Sequence, residues 1–165
     1  MTLTRMIATF GGVGYLRPAP GTWGSFAALP VAWGLHVLGG FWLLLGATLV
    51  AFALGWWATI VETRGAPDAD PSEIVIDEVV GMWIALWPVS LGAMMQGVPV
   101  TALWPGWVTA FLAFRAFDIW KPGPVGLADR MHTPLGVMLD DVVAGFLATL
   151  VVAVAAVVSH GLMGA

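Results

Sequence analysis

By the placing of its apolar and polar positions, the chain is three long apolar tracts divided by short polar blocks. Residues 18–61, 79–114 and 142–165 contain no Asp, Glu, Lys or Arg. All sixteen charged residues lie in three blocks: Arg5 with Arg17, then Glu62 to Glu78, then Arg115 to Asp141. None of the tracts has the polar stripe of a helix on a soluble surface. A membrane span needs roughly 20 residues, with about 17 as a floor, so each of the first two tracts fits a tight helical hairpin. Gly39-Gly40 marks the first reversal, between spans over Thr22–Leu38 and Phe41–Val61. Gln96-Gly-Val-Pro99 and Pro105-Gly106 interrupt the second tract, giving Val79–Met95 and Val100–Phe114, the latter tilted, broken or re-entrant at Pro105. Val142–Ser159 makes a fifth span. The predicted fold is all-α: a polytopic membrane helical bundle of about five spanning helices, one domain over residues 1–165, with cytoplasmic loops forming the site.

Two hairpins bring every charged block to the same side. All six Lys and Arg then face one compartment, which the positive-inside rule makes the cytoplasm, and a fifth span puts the C-terminus outside. Composition agrees. Only 10% of residues are charged and 59% are hydrophobic, against about 25% charged in soluble domains. Mean hydropathy is +0.91. The competing architecture, a large soluble core of buried helices, does not account for the missing polar stripes. Ten Trp against one Tyr fit interface anchoring and interhelical packing. No cysteine is present, which excludes disulfides, thiol nucleophiles and thiolate metal sites. The N-terminus has no basic n-region followed by a small-residue cleavage site. A net charge of −4 argues against nucleic acid, and an acidic chain acting on an anionic substrate needs a mediating cation.

Two stretches share a grammar of apolar residues, an acidic pair, Val-Val and a nearby glycine. One is Ile74-Val-Ile-Asp-Glu-Val-Val-Gly81; the other is Val137-Met-Leu-Asp-Asp-Val-Val-Ala-Gly145. A carboxylate at the edge of an apolar segment is costly unless paired, protonated or metal-bound. Asp77, Glu78, Asp140 and Asp141 are therefore candidate ligands for a shared cation. The simpler reading is that each pair decorates a helix N-terminus, though one acid would suffice for that. The pairs read either as a true repeat or as convergent helix starts.

Gly11 to Ser25 is too rich in Gly and Pro for a continuous helix, so it reads as a structured loop feeding the first span. Pro20 suits a helix start, and Thr22, Ser25 and Arg17 then offer hydroxyls, free N–H groups and charge to an anion. No Walker A or dinucleotide fingerprint is present. The glycines also fit close helix packing. In Phe114-Arg-Ala-Phe-Asp-Ile-Trp-Lys-Pro-Gly-Pro124, Arg115 and Asp118 share a helix face and Lys121 follows one turn later. Arg115 and Lys121 are candidate phosphate ligands, with Asp118 orienting a cation; an Arg–Asp pair plus a snorkelling Lys is the alternative. Asp68-Ala-Asp70-Pro-Ser72 superficially matches an aspartyl-phosphate phosphatase motif, but no buried strand precedes it, so it reads as a loop leading into a helix capped near Asp70 or Ser72. Glu73 and Asp77, four apart, could face one cation, or Glu73 is solvated charge. His36 and His160 sit at outer span ends, and His132, in the cytoplasmic loop, has no ligand or triad spacing around it.

Carboxylate oxygens without His or Cys select Mg²⁺ or Mn²⁺, ions that serve phosphate chemistry. The residues thus describe a cytoplasm-facing, metal-dependent enzyme acting on a phosphate at the membrane. Four blocks together resemble the phosphatidylglycerophosphatase A family: Gly14-Tyr-Leu-Arg-Pro-Ala-Pro-Gly-Thr-Trp-Gly-Ser25, Ile74 to Gly81, Phe114 to Pro124, and Gly136 to Gly145. The resemblance implies a bacterial inner-membrane, Mg²⁺-dependent lipid phosphatase converting phosphatidylglycerophosphate to phosphatidylglycerol and phosphate. It further implies metal and catalytic roles for Asp77, Glu78, Asp140 and Asp141, with Asp118 and Lys121 matching the family's Asp and Lys, and Arg17, Thr22 and Ser25 in the matching loop. Thr133-Pro-Leu-Gly136 departs from the family's usual Gly-Gly-x-Gly before the last acidic pair. One carboxylate would serve as general base to an attacking water, or Asp77 or Asp140 would itself be the nucleophile. The rival from another class is a transporter or channel, whose site belongs near the bilayer midplane rather than at one interface. The spaced Asp motif of lipid-phosphate transferases is absent.

Overall fold

The computed structural model describes residues 1–65 and 71–163. Asp68 and Asp70, and with them the Asp-Ala-Asp motif and the helix start expected near Asp70, lie outside the described residues. Regular structure among those residues is helical throughout. In chain order it comprises α1 (Leu3–Ala8), a 3₁₀ turn (Val13–Tyr15), α2 (Pro20–Glu62), α3 (Ile76–Ala85), α4 (Trp87–Gln96), a second 3₁₀ turn (Val100–Leu103), α5 (Trp104–Trp120), α6 (Pro124–Asp129) and α7 (Pro134–Met163). Four stretches are long and apolar enough to cross a membrane: Pro20–Glu62, Ile76–Gln96, Val100–Trp120 and Pro134–Ser159.

The 43 residues of α2 are two helices joined at Gly39 and Gly40, where Gly40 has φ 64 and ψ −157, a conformation that glycine alone adopts without strain. Gly24 and Gly55, about equally far from that break, meet adjacent residues at the start of α3. A Cβ on Gly24 would lie 2.8 Å from Val75 Cβ, and one on Gly55 would lie 2.9 Å from Ile76 Cγ1. The two limbs therefore run antiparallel, the reversal the glycine pair predicts. Each limb is tied to α4 by a polar contact: His36 Nδ1 to Ser90 Oγ (2.7 Å), and Trp87 Nε1 donating to Thr48 Oγ1 (3.4 Å).

The prolines fall where the backbone tolerates them. Pro105 stands in the first turn of α5, where a missing N–H removes no helical bond. The expected interruption falls at the head of that span: the 3₁₀ turn Val100–Leu103 gives way to α5 at Trp104, and the helix runs on to Trp120 rather than stopping at Phe114. Lys121 then closes α5 with φ 48. Pro88 cannot donate to the carbonyl of Ile84, four residues back; Thr149 Oγ1 of α7 donates to it instead at 2.8 Å.

The position of the acidic pairs also differs from a simple cap. Asp77 and Glu78 do lie in the first turn of α3. α7, however, begins at Pro134, so Asp140 and Asp141 sit well inside a helix rather than at its start. Helix-terminal charge cannot explain the second pair.

The glycines of the shared grammar explain how the pairs meet. Gly81 lies one turn beyond Asp77, and Gly145 one turn beyond Asp141. A Cβ on Gly145 would come within 2.5 Å of the Gly81 carbonyl oxygen, and one on Gly81 within 2.5 Å of both the Asp141 carbonyl oxygen and Phe114 Cε2. α3, α5 and α7 touch at this point because neither glycine carries a side chain. Gly81→Ala and Gly145→Ala should each cost about 1–3 kcal/mol through forced helix separation, read as a lower melting midpoint in detergent. Gly34→Ala and Gly46→Ala, whose added methyl would meet nothing within 4 Å, should leave the midpoint unchanged or raise it. Equal effects at all four positions would refute the crossing as the point of close approach.

Candidate active site

The starts of α2 and α3, the end of α5 and the body of α7 converge on a cleft of about 310 Å³. Ala19, Pro20 and Gly21 come from the start of α2, Asp77 and Glu78 from the first turn of α3, Arg115, Asp118 and Ile119 from the last turns of α5, and Asp140 and Asp141 from α7. Ser72, Ile74 and Lys121 complete the lining. The loops expected to form the site thus contribute little, because the acidic residues are folded into helices.

Asp77, Asp140 and Asp141 are all buried. Both pairs adopt the same local geometry: Asp77 Oδ1 accepts from the Glu78 N–H and Asp140 Oδ1 from the Asp141 N–H, each at 3.0 Å. One ligand oxygen from each of Asp77, Glu78 and Asp141 lies within 4.8 Å of the others. Glu78 Oε2 and Asp141 Oδ1 are buried without a hydrogen-bond partner. Neither residue belongs to an ion pair among the described residues. Buried carboxylate oxygens left so, within a group this compact, fit a hard divalent cation. Gly21 makes room for the group, since a Cβ there would overlap Glu78 Oε1 and lie 3.3 Å from Arg115 Nη1.

Asp140, the fourth expected ligand, lines the same cleft but stands apart from the other three. Its Oδ2 accepts from Lys121 Nζ at 2.8 Å. Lys121 also pairs with Asp129, from α6. Burial works against the lysine's charge, but its hydrogen bonds to Asp129 and Asp140 outweigh burial and hold the ammonium above the ordinary lysine range. Arg115 pairs with Asp118 one turn on, and its Nη1 also donates to Ser25 Oγ at 3.4 Å. Its Nε is buried without an acceptor. The arrangement is an acidic floor for a cation with an arginine and a lysine beside it.

Other sequence candidates fall elsewhere. Ser25 is fully buried and donates to the Gly21 carbonyl at 2.8 Å, so it braces the start of α2 rather than lining the cleft. Thr22 is not among the lining residues. Arg17 is exposed and donates to Ser72 Oγ at 3.2 Å, which puts it at the rim. Glu73 turns away to Arg5 (3.0 Å), which also binds Glu62 at 3.1 Å. His36 is taken up by Ser90 and has no acidic neighbour of the cleft beside it. Gly21 and Asp129 acquire a role only in the folded chain. For Asp129 the available signal is the Pro122-Gly-Pro124 turn, which returns the chain to the end of α5 within eight residues of Lys121. A second cavity, about 430 Å³, lies toward the other end of the bundle, lined by Gln96, Leu103, Thr109 and Ser159 among others, with no charged side chain. It offers no string of charges leading away from the cleft.

The family model for phosphatidylglycerophosphatase A matches residues 6–156. Phosphatidylglycerophosphatase A of Haemophilus influenzae is 35% identical over 148 residues, covering 89% of this chain and 85% of that protein. The Escherichia coli protein of the same name is 34% identical over 142 residues, covering 85% and 76%. A Bacteroides thetaiotaomicron protein named "Putative phosphatidylinositol-3-phosphatase" is 37% identical over 156 residues, covering 91% of each chain. No solved structure matches the chain.

The geometry predicts which residues govern cation binding. Asp77→Asn and Asp141→Asn should each weaken Mn²⁺ binding, followed by electron paramagnetic resonance in detergent, by more than the about tenfold typical of losing an outer partner. Gly21→Ala should weaken it as well by displacing Glu78. Glu73→Gln should not, because its carboxylate belongs to Arg5. Loss of binding in Glu73→Gln, or its retention in both Asp variants, would place the ion elsewhere.

Proposed function

The chain belongs to the phosphatidylglycerophosphatase A family, and on that premise we propose that it is a Mg²⁺-dependent lipid phosphatase that converts phosphatidylglycerophosphate to phosphatidylglycerol and inorganic phosphate. The observation that carries the reading is the cleft itself: three clustered carboxylates, two of them with unpartnered buried oxygens, beside Arg115 and Lys121. Asp77, Glu78 and Asp141 would hold the ion, with Asp140 completing the set. Once bound, Mg²⁺ supplies Lewis-acid stabilisation of the phosphate oxygens and activation of water. The chain's own groups do the rest. Arg115 and Lys121 meet the phosphate charge at the mouth, and Asp118 holds the Arg115 guanidinium in place. Asp77 or Asp140 takes the proton of the attacking water as its oxygen bonds to phosphorus and returns it to the ester oxygen as the P–O bond breaks, so that the lipid leaves as the alcohol. Arg17, at the rim beside Ser72, lies where the headgroup would enter, while Ser25 braces the start of α2 through the Gly21 carbonyl.

The same reading makes the bundle five passes of a bacterial inner membrane: both limbs of α2, α3 with α4, α5, and α7. Every Lys and Arg gathers at the end that carries the cleft, which the positive-inside rule assigns to the cytoplasm. There the cleft lies level with the headgroups of the inner leaflet, where a phospholipid monophosphate presents its terminal phosphate.

Purified in detergent, the protein should release phosphate from phosphatidylglycerophosphate with Mg²⁺ and lose that activity in EDTA. Asp77→Asn, Asp118→Asn and Asp140→Asn should each lower turnover by about 10²- to 10⁴-fold without lowering the melting midpoint. Faster release from phosphatidylinositol-3-phosphate would move the substrate assignment, and metal-independent or absent release from both lipids would overturn the phosphatase reading. Because the chain has no cysteine, orientation can be read separately with single-cysteine variants. In spheroplasts, an impermeant thiol reagent should label Ser159→Cys and spare Leu127→Cys; the reverse pattern would invert the protein.

A further inference from the structure

Lys121 is held from two sides. Its ammonium donates to Asp140 Oδ2 at 2.8 Å within the cleft and pairs with Asp129 outside it. Asp129 is not among the residues lining the cleft. It is the last residue of α6, a six-residue helix seated by backbone contact at both ends. A Cβ on Gly126 would come within 2.7 Å of the Lys121 carbonyl oxygen, and a Cβ on Gly136 of α7 within 2.9 Å of the Ala128 carbonyl oxygen. α6 is thus wedged between the end of α5 and the start of α7. Lys121 itself takes φ 48, so the chain turns sharply at the residue whose side chain must be aimed. A lysine on a flexible four-carbon stem seeks the strongest counter-charge within reach. With Asp140 alone, the ammonium would settle on that carboxylate and compete there with any divalent ion. A second carboxylate outside the cleft divides the ammonium between two acceptors.

We propose that Asp129 is a positioning residue for the cleft: it holds the Lys121 ammonium partly away from Asp140, so that Asp140 can serve the divalent ion and Lys121 can face the phosphate. This rests on the cation-dependent phosphatase reading given above. Asp129 touches neither ion nor substrate and acts through Lys121.

The test is a set of Mn²⁺ titrations by electron paramagnetic resonance on detergent-purified wild type, Asp129→Asn, Asp129→Glu, Lys121→Met and the Lys121→Met/Asp129→Asn double variant. Asp129→Asn should weaken Mn²⁺ binding by about tenfold, as expected for an outer partner of a metal site. Asp129→Glu should restore most of that loss. The double variant should bind Mn²⁺ as tightly as Lys121→Met, since without the lysine there is nothing left to restrain. An Asp129→Asn protein that binds like wild type overturns the inference. So does an Asp129→Asn loss that is equally large in the Lys121→Met background, which would reflect bulk charge or folding. Should Asp129→Asn not fold, Asp129→Ser carries the same comparison. A wild type that binds no Mn²⁺ overturns the metal reading itself and this inference with it, whereas binding with Asp129→Asn unaffected overturns this inference alone.

Discussion

The close approach of Gly81 and Gly145 is the contact on which the rest of the structure depends. Helices in an apolar solvent gain little from burying more apolar surface, so they associate through tight packing and the occasional hydrogen bond. Here the absence of two side chains lets backbone meet backbone, with Phe114 of α5 pressed onto the same spot. One turn above the crossing on each helix stands an acidic residue. The packing that holds the bundle together therefore also sets the distance between carboxylates from opposite ends of the sequence.

That placement has an electrostatic cost, and the surrounding residues are arranged around it. Five carboxylates line one cleft, and the two basic residues lining it are each engaged, Arg115 by Asp118 and Lys121 by Asp140 and Asp129. Asp77, Glu78 and Asp141 form a compact group of hard donors. Buried charges of one sign persist when an ion of the other sign joins them, so this clustering is better suited to binding than to stability. Outside the cleft, Arg5 draws Glu62 and Glu73 together and ties α1 to the end of α2 and the start of the α3 segment. That second ion cluster is structural and keeps Glu73 out of the cleft.

Several features were legible in the linear sequence because local chemistry fixes them. The reversal at Gly39-Gly40 follows from a glycine pair inside an apolar tract, and Pro20 starts α2 as a proline at a first turn should. The three-residue spacing of Arg115 and Asp118 gives a same-face ion pair whatever the helix packs against. Other features misled. Pro105 reads as a break until the helix is seen to begin beside it. The Asp140-Asp141 pair reads as a helix start, like its counterpart, although α7 begins well before it. Thr22 and Ser25 have the residue types of an anion site, yet Ser25 turns inward to the backbone of its own helix.

From the sequence alone follow the membrane habit, the all-helical class, the confinement of the charges to three short blocks, and the acid–Val-Val–glycine grammar, because each depends on composition or on spacing along the chain. Only the tertiary structure decided that the glycines of that grammar are a crossing point. It also decided that three of the four paired acids cluster while the fourth is held by Lys121, and that Asp129 stands behind that lysine. Those facts depend on which helix lies against which, and on how closely two backbones approach. Such distances join residues far apart in the chain, and no local spacing encodes them.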